Sequence, residues 1–144
     1  MGLTHYWTRP PVLPTAAFKN ATEDCLKVLA ATGIPLAGKT GQGSPAISNL
    51  KIMFNGIDPQ GCEPFCFRIF EEPRIPGKAI TSYCKTEKMP YDLCVKSALI
   101  VLSHYMGDAL KVMSDSSDDD WQDARRLCHD CLGYGDDFSL SKNS

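Results

Sequence analysis

The chain has no long hydrophobic run. Its longest, Ala98 to Leu102, is far too short to cross a bilayer as a helix. It also has no excess of positive charge: 15 Lys and Arg stand against 17 Asp and Glu, for a formal net charge of -2. That balance argues against a broad electrostatic nucleic-acid binder, which would carry a basic patch or stripe. Repeats, low-complexity stretches and interdomain linkers are absent. The opening Met1 to Arg9 lacks the basic-then-apolar pattern of a secretion signal. The seven cysteines are odd in number and are not spaced as a small disulfide scaffold, so they read as reduced thiols in a cytoplasmic protein.

What is present is ordinary globular material. Hydrophobic residues make up 43% and charged residues 22% of 144 residues, enough for one compact domain around one core. Thr4 to Thr8 reads as a strand, ended by Pro10, Pro11 and Pro14. Thr15 is the expected N-cap of a helix running to Thr32, with Gly33 as its stop; Phe18, Ala21, Cys25, Val28 and Leu29 recur at helical spacing. Gly33 to Ser48 reads as a loop. Leu50 to Phe54, Phe65 to Phe70 and Ile80 to Thr86 read as three strands of an antiparallel meander. Pro90 suits the first turn of a second helix, Tyr91 to Met106, whose nearly all-apolar segment predicts the deepest burial. Leu110 to Met113 is a short strand. Ser117 caps a third helix, Asp118 to Leu132, with Trp121, Ala124, Cys128 and Cys131 as its apolar stripe; the tail from 134 to 144 is expected to fray.

The fold class predicted is therefore α+β: a mixed sheet of about five strands covered by about three helices in a single compact domain. If the first two helices are crossovers, four strands run parallel and end at one edge of the sheet. That edge would gather Trp7, Arg9, Asn55, Lys85 and Asp115 beside the helix N-termini, where ligands of open α/β sheets commonly bind.

Gly33 to Thr40 matches the letters of a phosphate-binding P-loop, but a helix precedes it and Gly41, Gly43 and Pro45 oppose a helix after it. Cys128-His129-Asp130-Cys131 has half the spacing of a zinc site and lies at a helix C-terminus, where the dipole disfavours a thiolate. Cys62 and Cys66 would complete it only from a loop, because an extended strand separates them by about 13 Å. Asp115, Asp118, Asp119 and Asp120 lack the glycine and final glutamate of a calcium loop and suit the first turn of a helix. His5, sitting beside two aromatics on a strand, reads as a core histidine; no nucleophile elbow is present.

The segment Cys84 to Asp92 stands out. It joins a strand end to a helix N-terminus and offers a cation, a hydroxyl and an aromatic within a few residues. The candidate ligand-binding set is Lys85, Thr86 and Tyr91, with Trp7, Arg9, Asn55 and Asp115 around them. Lys85 and Arg9 would grip an anionic group. Tyr91 or Trp7 would stack on a flat ring. Asp115 would repel an anion unless it bonds a ribose hydroxyl or an amine, which points to a zwitterionic or sugar-bearing ligand.

Met1 to Trp7, Phe54-Asn55-Gly56, the Cys-Lys-Thr to Pro-Tyr-Asp segment, and Ser114-Asp115 followed by Trp121 together resemble a family of small, uncharacterised proteins of bacteria and their phages. The resemblance implies a prokaryotic or viral setting, in which such proteins often act against host defence; it implies no catalytic residue. The expectation is a non-catalytic binding protein with no cofactor. It would hold a small anionic or nucleotide-like ligand or inhibit a host protein. The alternative is a small metal-assisted hydrolase or nuclease using Asp115 and its neighbours.

Overall fold

The computed structural model describes residues 2–141. Among the described residues seven strands and three α-helices follow in the order β1 (Thr4–Arg9), α1 (Thr15–Thr32), β2 (Leu36–Ala37), β3 (Ala46–Ile47), β4 (Lys51–Gly56), β5 (Phe65–Arg68), β6 (Ile80–Lys85), α2 (Asp92–Met106), β7 (Lys111–Ser114) and α3 (Gln122–Leu132). The α+β class holds, and one hydrophobic core runs through the molecule. None of the described helices is long and apolar enough to cross a membrane.

The strands do not make one mixed sheet. They make two sheets in which every pairing is antiparallel. In the first, β1 lies between β6 and β7, with Thr4 opposite Lys85, Arg9 opposite Ile80 and His5 opposite Ser114. In the second, β3 and β5 flank β4, and β2 pairs with its Asn55–Gly56 end. The expected meander stops after β5, because β6 crosses to β1. The expected crossover through α1 also fails, because β4 belongs to the other sheet. The crossover through α2 is real: β6, α2 and β7 form a split β-α-β unit with β1 inserted between two strands parallel to each other.

This topology changes which residues share an edge. Lys85 and Ser114 end their strands beside the start of β1, whereas Arg9 ends β1 at the opposite side. Asn55 is in the second sheet.

The helices follow their sequence signals closely. Gly33 and Gly133 both adopt left-handed backbone at helix ends, at φ 69° and 84°. Pro14, not Thr15, occupies the N-cap of α1, with no side-chain cap. Pro90 precedes the first turn of α2, which starts at Asp92. Ser117 does cap, in a reciprocal box with Asp120, but it caps a 3-10 turn, Asp118–Trp121, that leads into α3. As expected, α2 is the most buried helix: Ala98 to Leu102 are at most 1% exposed. Against it pack α1, α3 and the inner faces of the sheets. There Trp7, Phe18, Phe54, Phe65 and Phe67 form a chain of aromatic contacts with centroids 5.3–6.5 Å apart. On the α3 stripe Trp121, Ala124 and Cys128 are buried, but Cys131 is exposed.

The tail expected to fray is docked as far as it is described. Tyr134 stacks on His104 at 3.6 Å and donates to Asp24, Phe138 stacks on Trp121 at 5.3 Å, and the Ser141 N–H donates to the Val112 carbonyl. Residues 142–144 of that expectation lie outside the described residues.

Candidate functional site

Most of the residues expected to bind a ligand are engaged inside the protein. Arg9 is 1% exposed and donates to the carbonyls of Pro10, Pro11, Arg68 and Ile69 and to Glu71; its guanidinium lies 4.6 Å from the centre of the Phe67 ring. Asn55 uses all its bonding capacity on backbone, donating to the Lys39 and Cys62 carbonyls and accepting from the Gly56 and Cys62 N–H groups. Trp7 is core. Thr86 is buried and donates to Asp92 at 2.5 Å. The Tyr91 hydroxyl donates to the Glu63 carbonyl at 2.5 Å. Burial pushes the Tyr91 phenol above its usual range.

Lys85 is half-exposed and pairs with Glu87 at 3.0 Å. Asp115 is exposed and accepts from the Thr4 N–H at 3.1 Å and the Tyr6 hydroxyl at 3.3 Å. So Lys85, Thr86, Tyr91 and Asp115 lie near the start of β1, while Arg9 and Asn55 do not join them. The physical reason is the antiparallel register: it reverses β1 relative to β6 and β7, so the end of β1 lies at the wrong edge.

The Asn55 knot yields a test of its own. Gly61 packs so closely that a Cβ there would sit 2.6 Å from the Gly56 oxygen and 2.7 Å from Asn55 Oδ1. Gly61→Ala is expected to cost about 1–3 kcal/mol through overpacking against backbone. Urea denaturation reads this directly, and an unchanged midpoint would mean that the loop yields freely.

The edge near Lys85 holds an arrangement the sequence does not announce. His5 is fully buried between two partners: Asp92 Oδ1 lies 2.6 Å from its Nε2 and Ser114 Oγ lies 2.7 Å from its Nδ1. Ser114 Oγ is 2.8 Å from Ser116 Oγ, which accepts from Trp121 Nε1–H at 3.1 Å. An indole can only donate and a carboxylate can only accept. With a neutral imidazole, each O–H and N–H of the chain therefore donates in one direction, from Trp121 through Ser116, Ser114 and His5 to Asp92. Burial on its own would push the Asp92 carboxyl up. Hydrogen bonds from His5 and Thr86, together with the charge of Lys96, outweigh it and hold the group below the usual carboxylate range.

Lys96 closes the cluster. Its ammonium is 3.6 Å from Asp92, 2.8 Å from Asp123 and 2.8 Å from the Asp120 carbonyl. Beside it opens a cleft of about 350 Å³ whose walls include Leu3, Lys88, Met89, Asp92, Lys96, Ser116, Asp120 and Asp123. Asp92, at one end of the chain, and Ser116, one link from the other, both line this cleft. At its rim Glu87 and Lys88 hold left-handed backbone, at φ 56° and 59°. Two successive non-glycine residues there are unusual and costly. The Leu3 carbonyl, accepting from the Thr86 and Glu87 N–H groups, helps hold the turn in place.

The other motifs resolve into structure. Gly33 is a helix cap, β2 lies inside the matched segment, and turns and bends occupy 39–43 where a P-loop would need a helix. Cys128 is buried and its thiol is pushed up to about 12 by burial, while Cys62 and Cys66 belong to the β4–β5 region. All seven cysteines are free thiols. Asp118 pairs with Arg125 and accepts from the Leu140 N–H, and Asp120 serves the capping box. Among the described residues no three His, Cys, Asp or Glu side chains stand together where they could hold a metal ion.

No family model, curated protein or solved structure matches this chain.

Proposed function

We propose that the protein is a binding protein that holds a small zwitterionic ligand in the cleft beneath residues 85–90. The observation that carries this reading is the Glu87–Lys88 pair. A left-handed backbone at two ordinary residues costs about 1–2 kcal/mol each, and such strain clusters at ligand clamps and switch regions. The turn presents the exposed Lys88 at a cleft whose volume lies at the lower end for small-ligand pockets.

The chemistry of the walls favours a particular ligand. Asp92, Asp120 and Asp123 line the cleft together with Lys88 and Lys96, so carboxylates outnumber cations. A bare anion would be repelled. A molecule with both an amine and an acidic group would set its amine against Asp120 or Asp123 and its anionic group against Lys88. Leu3, Met89, Pro90 and Leu93 supply an apolar wall for its body.

Thermal melts with panels of amino acids, amino-phosphates, nucleotides and inorganic phosphate test this. A zwitterion at a hundred times its dissociation constant is expected to stabilise the protein by about 2.7 kcal/mol, and phosphate is expected to have no effect. Lys88→Gly separates backbone from side chain. It is expected to raise the unliganded stability by about 1 kcal/mol as the left-handed strain is released. The same change removes a charge-assisted bond and weakens binding at least about tenfold. A panel without any response, or a Lys88→Gly variant that binds as well as the wild type, would remove the reading.

The hydrolase alternative is favoured by one specific observation, the Ser114–His5–Asp92 chain, and in a form that requires no metal.

A further inference from the structure

A serine hydroxyl, an imidazole and a carboxylate in hydrogen-bonded series are the parts from which an activated nucleophile is built. Here the separations are 2.7 Å from Ser114 Oγ to His5 Nδ1 and 2.6 Å from His5 Nε2 to Asp92 Oδ1. The imidazole is reversed relative to the usual triad, with Nδ1 rather than Nε2 toward the serine, which leaves the proton transfer chemically equivalent. The second observation is independent of the chain. Ser114 is half-buried and lines two clefts, of about 460 Å³ and about 330 Å³, whereas His5 is fully covered.

We propose that Ser114 is a nucleophile activated by His5 and oriented through Asp92, and that it accepts acyl groups from donors with weakly basic leaving groups, such as aryl esters and thioesters. The inference goes beyond ligand binding and does not rest on it. In the step, a lone pair of Ser114 Oγ forms a bond to the carbonyl carbon. The hydroxyl proton passes to His5 Nδ1, and the resulting imidazolium is balanced by Asp92. The bond to the leaving group then breaks, and the group departs with its electron pair. At rest both lone pairs of Ser114 Oγ accept, from the Ser116 hydroxyl and the Ser116 N–H, so the attack requires the Ser116 hydroxyl to turn away.

The burial of His5 limits the substrate class. An imidazole with no exposed surface cannot hand its proton to a leaving group out in a cleft, so the group must be stable as an anion. For the same reason His5 cannot take a proton from an incoming water there. The acyl-serine is therefore long-lived, and the kinetic signature is a burst of about one equivalent followed by slow turnover.

The test uses the wild-type protein with a fluorophosphonate probe and with p-nitrophenyl acetate. The expected result is one covalent phosphonyl adduct, mapped by peptide mass spectrometry to Ser114, and a burst of nitrophenolate whose acetyl group maps to the same residue. His5→Gln is expected to slow labelling by about a hundredfold or more. The proposal is overturned if the wild type takes no adduct, or if the adduct lies on another residue. It is also overturned if His5→Gln labels at the wild-type rate. Site mapping on the wild type decides the matter even if His5→Gln does not fold. Ligand-induced melting shifts without an adduct would leave the binding reading standing and this one not.

Discussion

Arg9→Ala is expected to destabilise the protein by about 3–5 kcal/mol, the range for removing one partner of a buried ion pair. Arg9 ends β1 with its side chain wholly inside, and four backbone carbonyls and Glu71 accept from it; the Pro11 and Ile69 carbonyls also accept from the Glu71 and Leu13 N–H groups. Truncation takes this donor from the Pro10 and Arg68 carbonyls and from Glu71 and opens a void beside Phe67. Lysine does not replace it, because a single ammonium cannot reach acceptors fanned around a planar fork. Urea denaturation of Arg9→Ala and Arg9→Lys measures both losses. A change below about 1 kcal/mol in Arg9→Ala would show that water takes over the carbonyls. A ligand-gripping role would give the opposite pattern, with stability retained and affinity lost.

Asp92→Ala is expected to cost a similar amount, about 3–5 kcal/mol. It strips the shared acceptor from His5 Nε2–H and the Thr86 hydroxyl and removes one counter-charge from Lys96. The same carboxylate makes stability depend on acid. Its folded-state pKa is depressed, so the unfolded chain takes up the proton more readily. The contribution is complete above the unfolded value of about 4 and is lost as pH falls through the lower folded value. The isosteric Asp92→Asn lacks this titration. The stability gap between wild type and Asp92→Asn is expected to be full at pH 7 and to shrink toward pH 3, as read by urea midpoints at each pH. A gap that stays constant would mean that Asp92 does not titrate differently in the two states.

How much of this was legible in the sequence differs between elements and sites. The span of α1, the glycine stops at 33 and 133, the Ser117 cap and the burial of α2 are carried by residues within a few positions of one another. Helix periodicity and capping are local, so they can be read locally. His5 likewise reads correctly as a core histidine from its neighbours Tyr6 and Trp7. What it touches does not, because Asp92 and Ser114 lie 87 and 109 residues away. The stretch from Cys84 to Asp92 is recognisable as unusual from its charges, hydroxyl and Pro90. The left-handed turn at Glu87 and Lys88 carries no glycine or asparagine to betray it.

Composition and local pattern thus determined that this chain is an α+β protein with three helices around one core, and roughly where the longer elements begin and end; the two-residue strands β2 and β3 lie in the segment that reads as a loop. Tertiary structure alone decided the pairing of the strands, and with it the site. A strand's alternation says which residues share a face. It says nothing of which neighbour or direction will complete its hydrogen bonds, because either edge of β1 can accept any strand of compatible register. Once β6 and β7 run antiparallel to β1, Arg9 is carried to the far edge and sealed inside. Thr86 and Tyr91 turn inward to satisfy buried partners, and His5, Asp92 and Ser114 meet.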